Sequence, residues 1–219
     1  MKVLVVCDDY WHPAEVIERG LNLLKKREEG GCFEFDFVKD AKDILTPEFI
    51  REFPVIIVAK YNGLNASNDT PWFEDGVTEV GPAELRAYVE EGGGLLSLHA
   101  GNCFFADKDK EYVDFLGNAF VTHPRRCDVQ MKIVKEHPVA DGVTDFVVRD
   151  DHYELDHLAE DRDEFMISVS ETGGTQTAGY TRLIGEGRLC VLTPGHLLSV
   201  FQNENYQKML CNAIKWCAK

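Results

Sequence analysis

Residues 92–101, with the sequence GGGLLSLHAG, constrain the fold of this chain more than any other stretch. The three glycines suit the end of a helix, because glycine tolerates left-handed backbone angles. The apolar run at 95–98 has the length of a buried strand. His99 then precedes two small residues, Ala100 and Gly101. Because ligands bind at the carboxyl ends of strands in open α/β sheets, a polar residue held at a sharp turn there points into the ligand crevice. The arrangement parallels the nucleophile elbow G-x-S-x-G, with a histidine at the tip.

Apolar runs joined by helical patterns predict a parallel sheet in the first half of the chain and again at its end. Such crossovers are right-handed and make neighbouring strands parallel, so the carboxyl ends lie on one side. Phe33, Phe35 and Phe37 alternate with acidic residues, which indicates a half-exposed strand near a sheet edge. The predicted core strands are residues 2–7, 55–59, 95–98 and 189–193. Predicted helices cover residues 14–29, a short segment capped by Thr46 before Pro47, and residues 82–91, 110–116 and 204–217.

The second half of the chain has a looser order and predicts an antiparallel insertion. Strand patterns occur at 127–135, 146–149 and 164–169, and a hairpin at 177–183 and 188–192 is closed by residues 185–187. We therefore expect one α/β domain over residues 1–219, a flavodoxin-like three-layer fold with a mostly parallel sheet. Residues 62–80 form a long loop, in which Trp72 and Phe73 either anchor the loop or line a substrate site.

The acidic balance of the chain argues against nucleic acid as a partner. A formal net charge of -15 over 219 residues opposes binding to a phosphate backbone. An acidic substrate would need a local basic patch, which the chain offers at Arg125-Arg126. No apolar run reaches the ~18 residues of a membrane span. The seven cysteines include no C-x-x-C pair, which is typical of reduced thiols. We therefore expect a cytoplasmic protein that binds no membrane, and the sequence leaves a homo-oligomer open.

Histidines stand where strands and loops meet the expected crevice. His99 caps the central strand, His196 follows the last strand in Pro194-Gly195-His196, and His12 follows the first. In a flavodoxin-type order the ends of these strands are near neighbours, so His99 and His196 would face one another. Alternatives stay open for the others: His12 could cap the following helix or pack on Trp11, and His123 and His137, each before a proline, could be turn residues. Another cluster follows a short strand: Asp151, His152, Tyr153 and Glu154.

The ordered set of motifs resembles the ThuA-like (trehalose utilisation) family, which in turn is similar in fold to the class I glutamine amidotransferases. The match covers nearly the whole chain. It rests on GGLLSLHAG at 93–101, the His-Pro pairs at 123 and 137, the cluster at 151–154, Pro194-Gly195-His196 and NAIKW at 212–216. The resemblance implies a carbohydrate ligand, a disaccharide or an oxidised (keto) sugar.

The comparison with amidotransferases also implies a lost activity. That superfamily has G-x-C-x-G at the elbow and a late histidine followed two residues on by a carboxylate. Here His99 takes the nucleophile position, and Leu198 stands where the carboxylate would follow His196. No cysteine falls at the elbow tip, so a thiolate paired with a base is absent from the expected place. We expect no glutaminase activity.

Two readings of function follow. In the first, the protein is an enzyme in which imidazoles bind a divalent metal, Zn²⁺ by ligand type, with His99, His196 and His152 as ligands. The catalytic residues would be His99, His196 and Glu154, acting on a keto-sugar by acid/base chemistry as a hydrolase, lyase or isomerase. Paired carboxylates among the acidic residues are also conceivable for glycoside hydrolysis. We expect no nucleotide cofactor. The substrate-binding residues would be His12, Trp11, Tyr153 and His123.

In the second reading the chain is a non-catalytic sugar-binding or interaction module that kept the crevice of an amidotransferase-like fold.

Overall fold

A nine-stranded mixed sheet lies at the centre of the computed structural model, which describes residues 1–28, 30–62 and 71–219. Two further strands form a small separate sheet. In chain order the strands are β1 (Lys2–Val6), β2 (Glu34–Val38), β3 (Val55–Val58), β4 (Gly94–Leu98), β5 (Ala119–Thr122), β6 (Cys127–Ile133), β7 (Phe146–Asp150), β8 (Glu154–Asp156), β9 (Asp163–Ser170), β10 (Gly174–Ile184) and β11 (Gly187–Leu192).

The order of the strands is β2-β1-β3-β4-β11-β10-β9-β6-β7. From β2 to β11 every neighbouring pair is parallel, and from β11 to β7 every pair is antiparallel. The parallel part therefore has the flavodoxin-type order, with an antiparallel extension on the side of β11. This confirms the mostly parallel sheet with an antiparallel insertion and places the ends of β1, β3, β4 and β11 along one edge.

Helices cover both faces of the parallel part and make a three-layer structure. Successive strand residues point to opposite faces, so Val3 and Val5 pack in one apolar core while Leu4 and Val6 pack in the other. The first core contains the buried faces of α1 and α7, and the second those of α4 and α5. The helices are α1 (Ala14–Leu24), α2 (Ala41–Ile44), α3 (Pro47–Ile50), α4 (Pro82–Glu90), α5 (Lys110–Leu116), α6 (Leu198–Phe201) and α7 (Glu204–Cys217).

The first helix ends at Leu24, before the predicted end at residue 29, which lies outside the described residues. Leu24 is the last buried apolar residue of α1, and the polar residues after it form a turn. Gly30 then crosses the helix end so closely that a Cβ there would lie 2.2 Å from the carbonyl oxygen of Leu24. The glycine is thus required by this close approach and does not itself end the helix.

The long loop before α4 is anchored by its aromatic residues. Trp72 is 1% exposed and Phe73 8% exposed, and both belong to the apolar core that contains α4 and α5. The amide of Asn62 fixes this segment, because its Oδ1 accepts from the backbone N–H groups of Trp72 and Phe73. Of the two interpretations of these rings, the structure therefore favours the anchor. Residues 63–70 of the predicted loop lie outside the described part.

Most other predicted elements shift by a residue or two at their ends. The predicted cap is confirmed: Thr46 Oγ1 accepts from the backbone N–H of Phe49 at 3.1 Å. The small sheet of β5 and β8 was not predicted, because its four-residue and three-residue strands are too short to show periodicity. In the described part of the chain no helix combines the length and apolarity that crossing a membrane requires.

Candidate functional site

His99 lies at the carboxyl end of β4, where the chain turns into a single 3₁₀ turn, His99–Asn102. Its φ of 45° is in the left-handed region, which costs a non-glycine residue free energy. The ring is buried, and its Nδ1 donates to the carbonyl oxygen of Thr193 at the end of β11, 2.8 Å away. The turn therefore fixes His99 between two neighbouring strand ends, as the elbow pattern predicts.

The position of His196 is set by a buried carboxylate. Asp150, the last residue of β7, accepts from the backbone N–H of Gly195 at 2.7 Å and of His196 at 3.1 Å. Gly195 has a φ of 145°, and a Cβ there would lie 3.0 Å from the Cβ of His99. Burial raises the pKa of Asp150 to about 6, although the hydrogen bond from Gly195 opposes this shift. Asp150 thus ties the antiparallel extension to the loop that carries His196.

His12 is held by the carboxylate of Asp9. Its Nδ1 lies 2.8 Å from Asp9 Oδ1, and its own backbone N–H and that of Trp11 also donate to this oxygen. The other oxygen of Asp9 accepts from the backbone N–H of Tyr61, which follows β3. One buried carboxylate therefore organises the loops after β1 and β3 and orients the imidazole.

The three imidazoles converge. The ring centroid of His12 lies 4.9 Å from that of His99 and 5.0 Å from that of His196, and the rings of His99 and His196 are 5.3 Å apart. One potential ligand nitrogen from each ring lies within 4.8 Å of the others. Burial, followed by the nearby His12 and His196, lowers the pKa of His99 well below its ordinary value, so this ring is neutral at pH 7.

Hydrogen-bond partners assign the tautomers of these rings. The acceptors at Nδ1 of His99 and His12 are a carbonyl and a carboxylate, so both rings carry their proton on Nδ1. Nδ1 of His196 lies 2.8 Å from a carboxylate oxygen of Asp151 and 3.3 Å from Nε2 of His99, so it also carries the proton. In this tautomer Nε2 is the lone-pair nitrogen of each ring, and Nε2 of His99 accepts from the hydroxyl of Tyr153.

This donor set fits Zn²⁺. Three imidazole ligands that leave one position open for a water or a substrate are a set found in catalytic zinc sites. Zinc-binding histidines donate their other N–H to a carboxylate or a carbonyl, which is the arrangement that Asp9, Thr193 and Asp151 provide here. His12, His99 and His196 are therefore the residues that could hold such an ion.

Asp151 links the cluster to a basic residue. Its Oδ2 accepts from His196, and its Oδ1 accepts from Nε of Arg126 at 3.1 Å. Burial acts to raise the pKa of Asp151, but the hydrogen bond from His196 and the adjacent imidazoles outweigh it and hold that pKa well below the usual range. Asp151 is therefore ionised at neutral pH. His123 is more distant, with Nε2 4.0 Å from Oδ2 of Asp151.

Tyr153 packs against the His99 ring of the cluster. Its hydroxyl donates to Nε2 of His99 at 3.0 Å, and its ring stacks on that imidazole with centroids 4.5 Å apart. The thiol of Cys103 donates to the same hydroxyl at 3.1 Å. Burial raises the pKa of Tyr153 well above its ordinary value and that of Cys103 to about 12. Both groups are therefore neutral, and the Cys103 thiol is not a nucleophile.

A cavity of about 570 Å³ opens over this cluster. The polar residues that line it are His12, Cys103, His123, Arg126, Asp151 and His196. The aromatic residues that line it are Trp11, Tyr61, Phe105, Phe120 and Tyr153. Trp11 is 66% exposed and stands at the rim, in edge-to-face contact with Tyr10. The cavity has the aromatic lining and few convergent polar groups of a small-molecule site.

Two predicted site residues lie elsewhere, and both expectations need correction. His152 bonds through its ring nitrogens to the hydroxyls of Ser170, at 2.7 Å, and Ser168, at 2.9 Å, so no nitrogen is left for a metal. Glu154 is exposed on β8 and does not line the cavity. The physical reason is the alternation of successive side chains, which turns Asp151 and Tyr153 to the cavity and their neighbours away.

The sequence prediction did not assign to any residue the role of orienting the histidines. Asp9, Asp150 and Asp151 each bond to a cluster residue, and Arg126 bonds to Asp151. Asp9 could have been found, since a carboxylate three residues before a loop histidine can accept from both its backbone and its ring. The roles of Asp150 and Arg126 depend on contacts 46 and 25 residues apart in sequence, for which no local pattern exists.

The fold and the histidine turn together define a class: proteins with the glutamine amidotransferase-like fold in which a histidine occupies the nucleophile turn. A glutamine amidotransferase from Thermotoga maritima has the same fold, with a TM-score of 0.63 and 11% identity over 100% of this chain and 98% of that one.

Within this class, the chain belongs to the ThuA (trehalose utilisation) family, whose model matches residues 2–217. A ThuA-like protein from Bacteroides uniformis shares 20% identity, with a TM-score of 0.76 over 99% of this chain and 91% of that one. A cytoplasmic protein from Salmonella typhimurium shares 14% identity, with a TM-score of 0.68 over 100% of each chain. Comparison with the curated proteins gives no match.

We predict that the protein releases no ammonia from glutamine. His99 occupies the elbow, Leu198 begins α6 where a carboxylate would be needed, and the nearby Cys103 is held as a neutral thiol. The measurement is a coupled ammonia assay with the purified protein. Ammonia release that is lost on replacing any one cysteine would refute the prediction.

Proposed function

We propose that this protein acts on a carbohydrate, a disaccharide or keto-sugar, as a metal-assisted acid/base hydrolase, lyase or isomerase in the cytoplasm. The observation that carries the proposal is the convergence of His12, His99 and His196 next to a cavity that His12, His196 and several aromatic rings line. The family description, trehalose utilisation, supports the substrate class. The seven free cysteines and the Salmonella relative described as cytoplasmic support the compartment.

His196 and Asp151 have the geometry of a general base and its orienting carboxylate. The bond at Nδ1 leaves Nε2 of His196 without a hydrogen-bond partner among the described residues, and His196 lines the cavity. When Nε2 takes a proton, the ionised Asp151 stabilises the imidazolium. A keto-sugar carries an acidic C–H beside its carbonyl, which is the proton that such a base removes.

Tyr153 is placed to stabilise the charge that this step creates. As the C–H proton leaves, the bonding electrons move onto the carbonyl oxygen. The neutral phenol donates to Nε2 of His99 in this structure, and it can donate to that oxygen once it turns away from His99. Return of the proton to the former carbonyl carbon, with transfer of the adjacent hydroxyl proton to the former carbonyl oxygen, isomerises the sugar. Expulsion of a glycosyl oxygen from the next carbon instead cleaves the glycosidic bond by elimination. The exposed ring of Trp11 and the ring of Phe120 offer stacking faces for the apolar side of a sugar.

A zinc ion held by His12 and His99 would polarise the sugar carbonyl and leave Nε2 of His196 as the base. An ion held by all three imidazoles would occupy that nitrogen and would instead activate a water for attack. The chain's own residues would then set where the substrate lies, through the aromatic rings, Arg126 and the imidazoles that line the cavity.

The test is turnover of an oxidised (keto) derivative of trehalose beside trehalose itself, with the metal content of the purified protein measured in parallel. We expect stoichiometric zinc, conversion of the keto-sugar, and loss of conversion after chelation that added zinc restores. His196→Ala should abolish conversion. His157→Ala is the matched control, because His157 is an exposed histidine that does not line the cavity.

The alternative, a non-catalytic sugar-binding module, gives a different result in the same experiment. The keto-sugar would then bind without being converted, whether or not zinc is present. Conversion that persists in His196→Ala would also contradict the assignment of the base.

A further inference from the structure

We propose that the ligand of this cavity carries an acidic group, a carboxylate or a phosphate, which the guanidinium of Arg126 binds. The inference rests on the proposed function and names its substrate class more closely: an acidic sugar. It starts from the geometry of one side chain. Arg126 bonds to Asp151 through Nε alone, at 3.1 Å. Among the described residues neither Nη1 nor Nη2 of Arg126 has a hydrogen-bond partner, and the side chain remains 36% exposed at the cavity wall.

The contact with Asp151 fixes the plane of the guanidinium and leaves its outer edge free. The two Nη atoms form a planar fork that matches the two oxygens of a carboxylate or a phosphate. An arginine that served only to neutralise Asp151 would gain more from a two-bond pairing through Nε and Nη2 than from the single bond seen here. The free edge therefore indicates a second acceptor, supplied by the ligand.

The charges around the cavity point the same way. Histidines aside, the described residues that line the cavity include one basic side chain, Arg126, and one acidic side chain, Asp151. Both oxygens of Asp151 are already engaged, one by Arg126 and the other by His196. No further carboxylate of the described lining opposes an acidic ligand. In a chain with a formal net charge of -15, one arginine balanced by one aspartate means that the described lining lacks the excess negative charge that would repel an anion.

The test compares charged sugars with neutral partners of the same shape. D-glucuronate is titrated beside its methyl ester, and glucose 6-phosphate beside glucose, into the wild-type protein and Arg126→Gln. We expect one acid to bind at least about tenfold more tightly than its neutral partner, which corresponds to about 1.4 kcal/mol. In Arg126→Gln this preference should fall to within about twofold. The pair that shows the preference tells a carboxylate from a phosphate.

Arg125→Gln is the matched control, because it makes the same charge change one residue away, at an exposed side chain that does not line the cavity. It should keep the full preference. Zinc content and thermal midpoint measured on all variants show whether the fold and the histidine cluster are intact. Arg126→Lys retains the charge but not the fork, and should recover only part of the preference.

Equal binding of charged and neutral sugars by the wild type would overturn the inference and leave the proposed function standing. A preference that survives in Arg126→Gln would overturn the assignment to Arg126. If none of the four sugars binds while the keto-sugar is still converted, the inference fails and the proposed function stands.

Discussion

Replacing His99 by alanine should lower zinc affinity more than about 100-fold while the protein stays folded. Losing a residue that only orients a metal ligand lowers metal affinity by about 10–100-fold, and losing the ligand itself should lower it further. His99 adjoins both His12 and His196, so its removal leaves two imidazoles that cannot complete the donor set. The stability cost should stay below about 1 kcal/mol, as for other site changes. The carbonyl of Thr193 loses its partner, but water from the adjoining cavity can replace the imidazole.

The measurement is a zinc titration and a denaturation curve for each of a graded set of variants. His12→Ala and His196→Ala should behave like His99→Ala, and His157→Ala like the wild type. Asp9→Asn keeps His12 but weakens the bond that orients it, so its affinity should fall by about 10–100-fold. Large losses of stability with unchanged zinc affinity would mean that these histidines serve the structure, and the binding-module reading would replace the enzyme.

Much of the fold could be predicted because each parallel strand carries its own local signal. The runs at β1, β3 and β4 are apolar and bounded by polar or turn-forming residues, so their length and type are readable one at a time. The right-handed crossover rule then orders them. The end of α1 could not be predicted, since the polar residues after Leu24 have the composition of an exposed helix. The close approach of Gly30 to Leu24 is a tertiary contact, which has no local sequence signal.

The site divides in the same way. His99 and His196 could be predicted because small or turn-forming residues flank them directly after strands, a pattern that lies within a few residues. Which residues of the cluster at 151–154 belong to the site could not be predicted from the sequence, because this depends on which side of the chain faces the cavity. A shift of one residue exchanges Asp151 and Tyr153 for His152 and Glu154, and the sequence of a short connection between β7 and β8 does not fix that phase.

The turn that presents His99 depends on Gly101, and Gly101→Ala should destabilise the protein by about 3 kcal/mol, at the upper end for overpacking of a tight core. A Cβ at this position would lie 2.1 Å from the carbonyl oxygen of Val58 and 3.0 Å from Oγ of Ser97. Val58 cannot retreat, because β3 is held between β1 and β4 in the middle of the parallel sheet. The turn would have to move instead, and His99 would move with it.

Chemical denaturation of Gly101→Ala beside the wild type measures this cost, and zinc titration of the same variant measures the displacement of His99. Gly31→Ala is the matched control, since its nearest contact would be the carbonyl oxygen of Arg27 at an ordinary 3.5 Å, and we expect a change within about 0.5 kcal/mol. An unchanged denaturation midpoint for Gly101→Ala would show that the chain after β4 can shift freely. The strained geometry of His99 would then not be imposed by the close packing of this turn on β3.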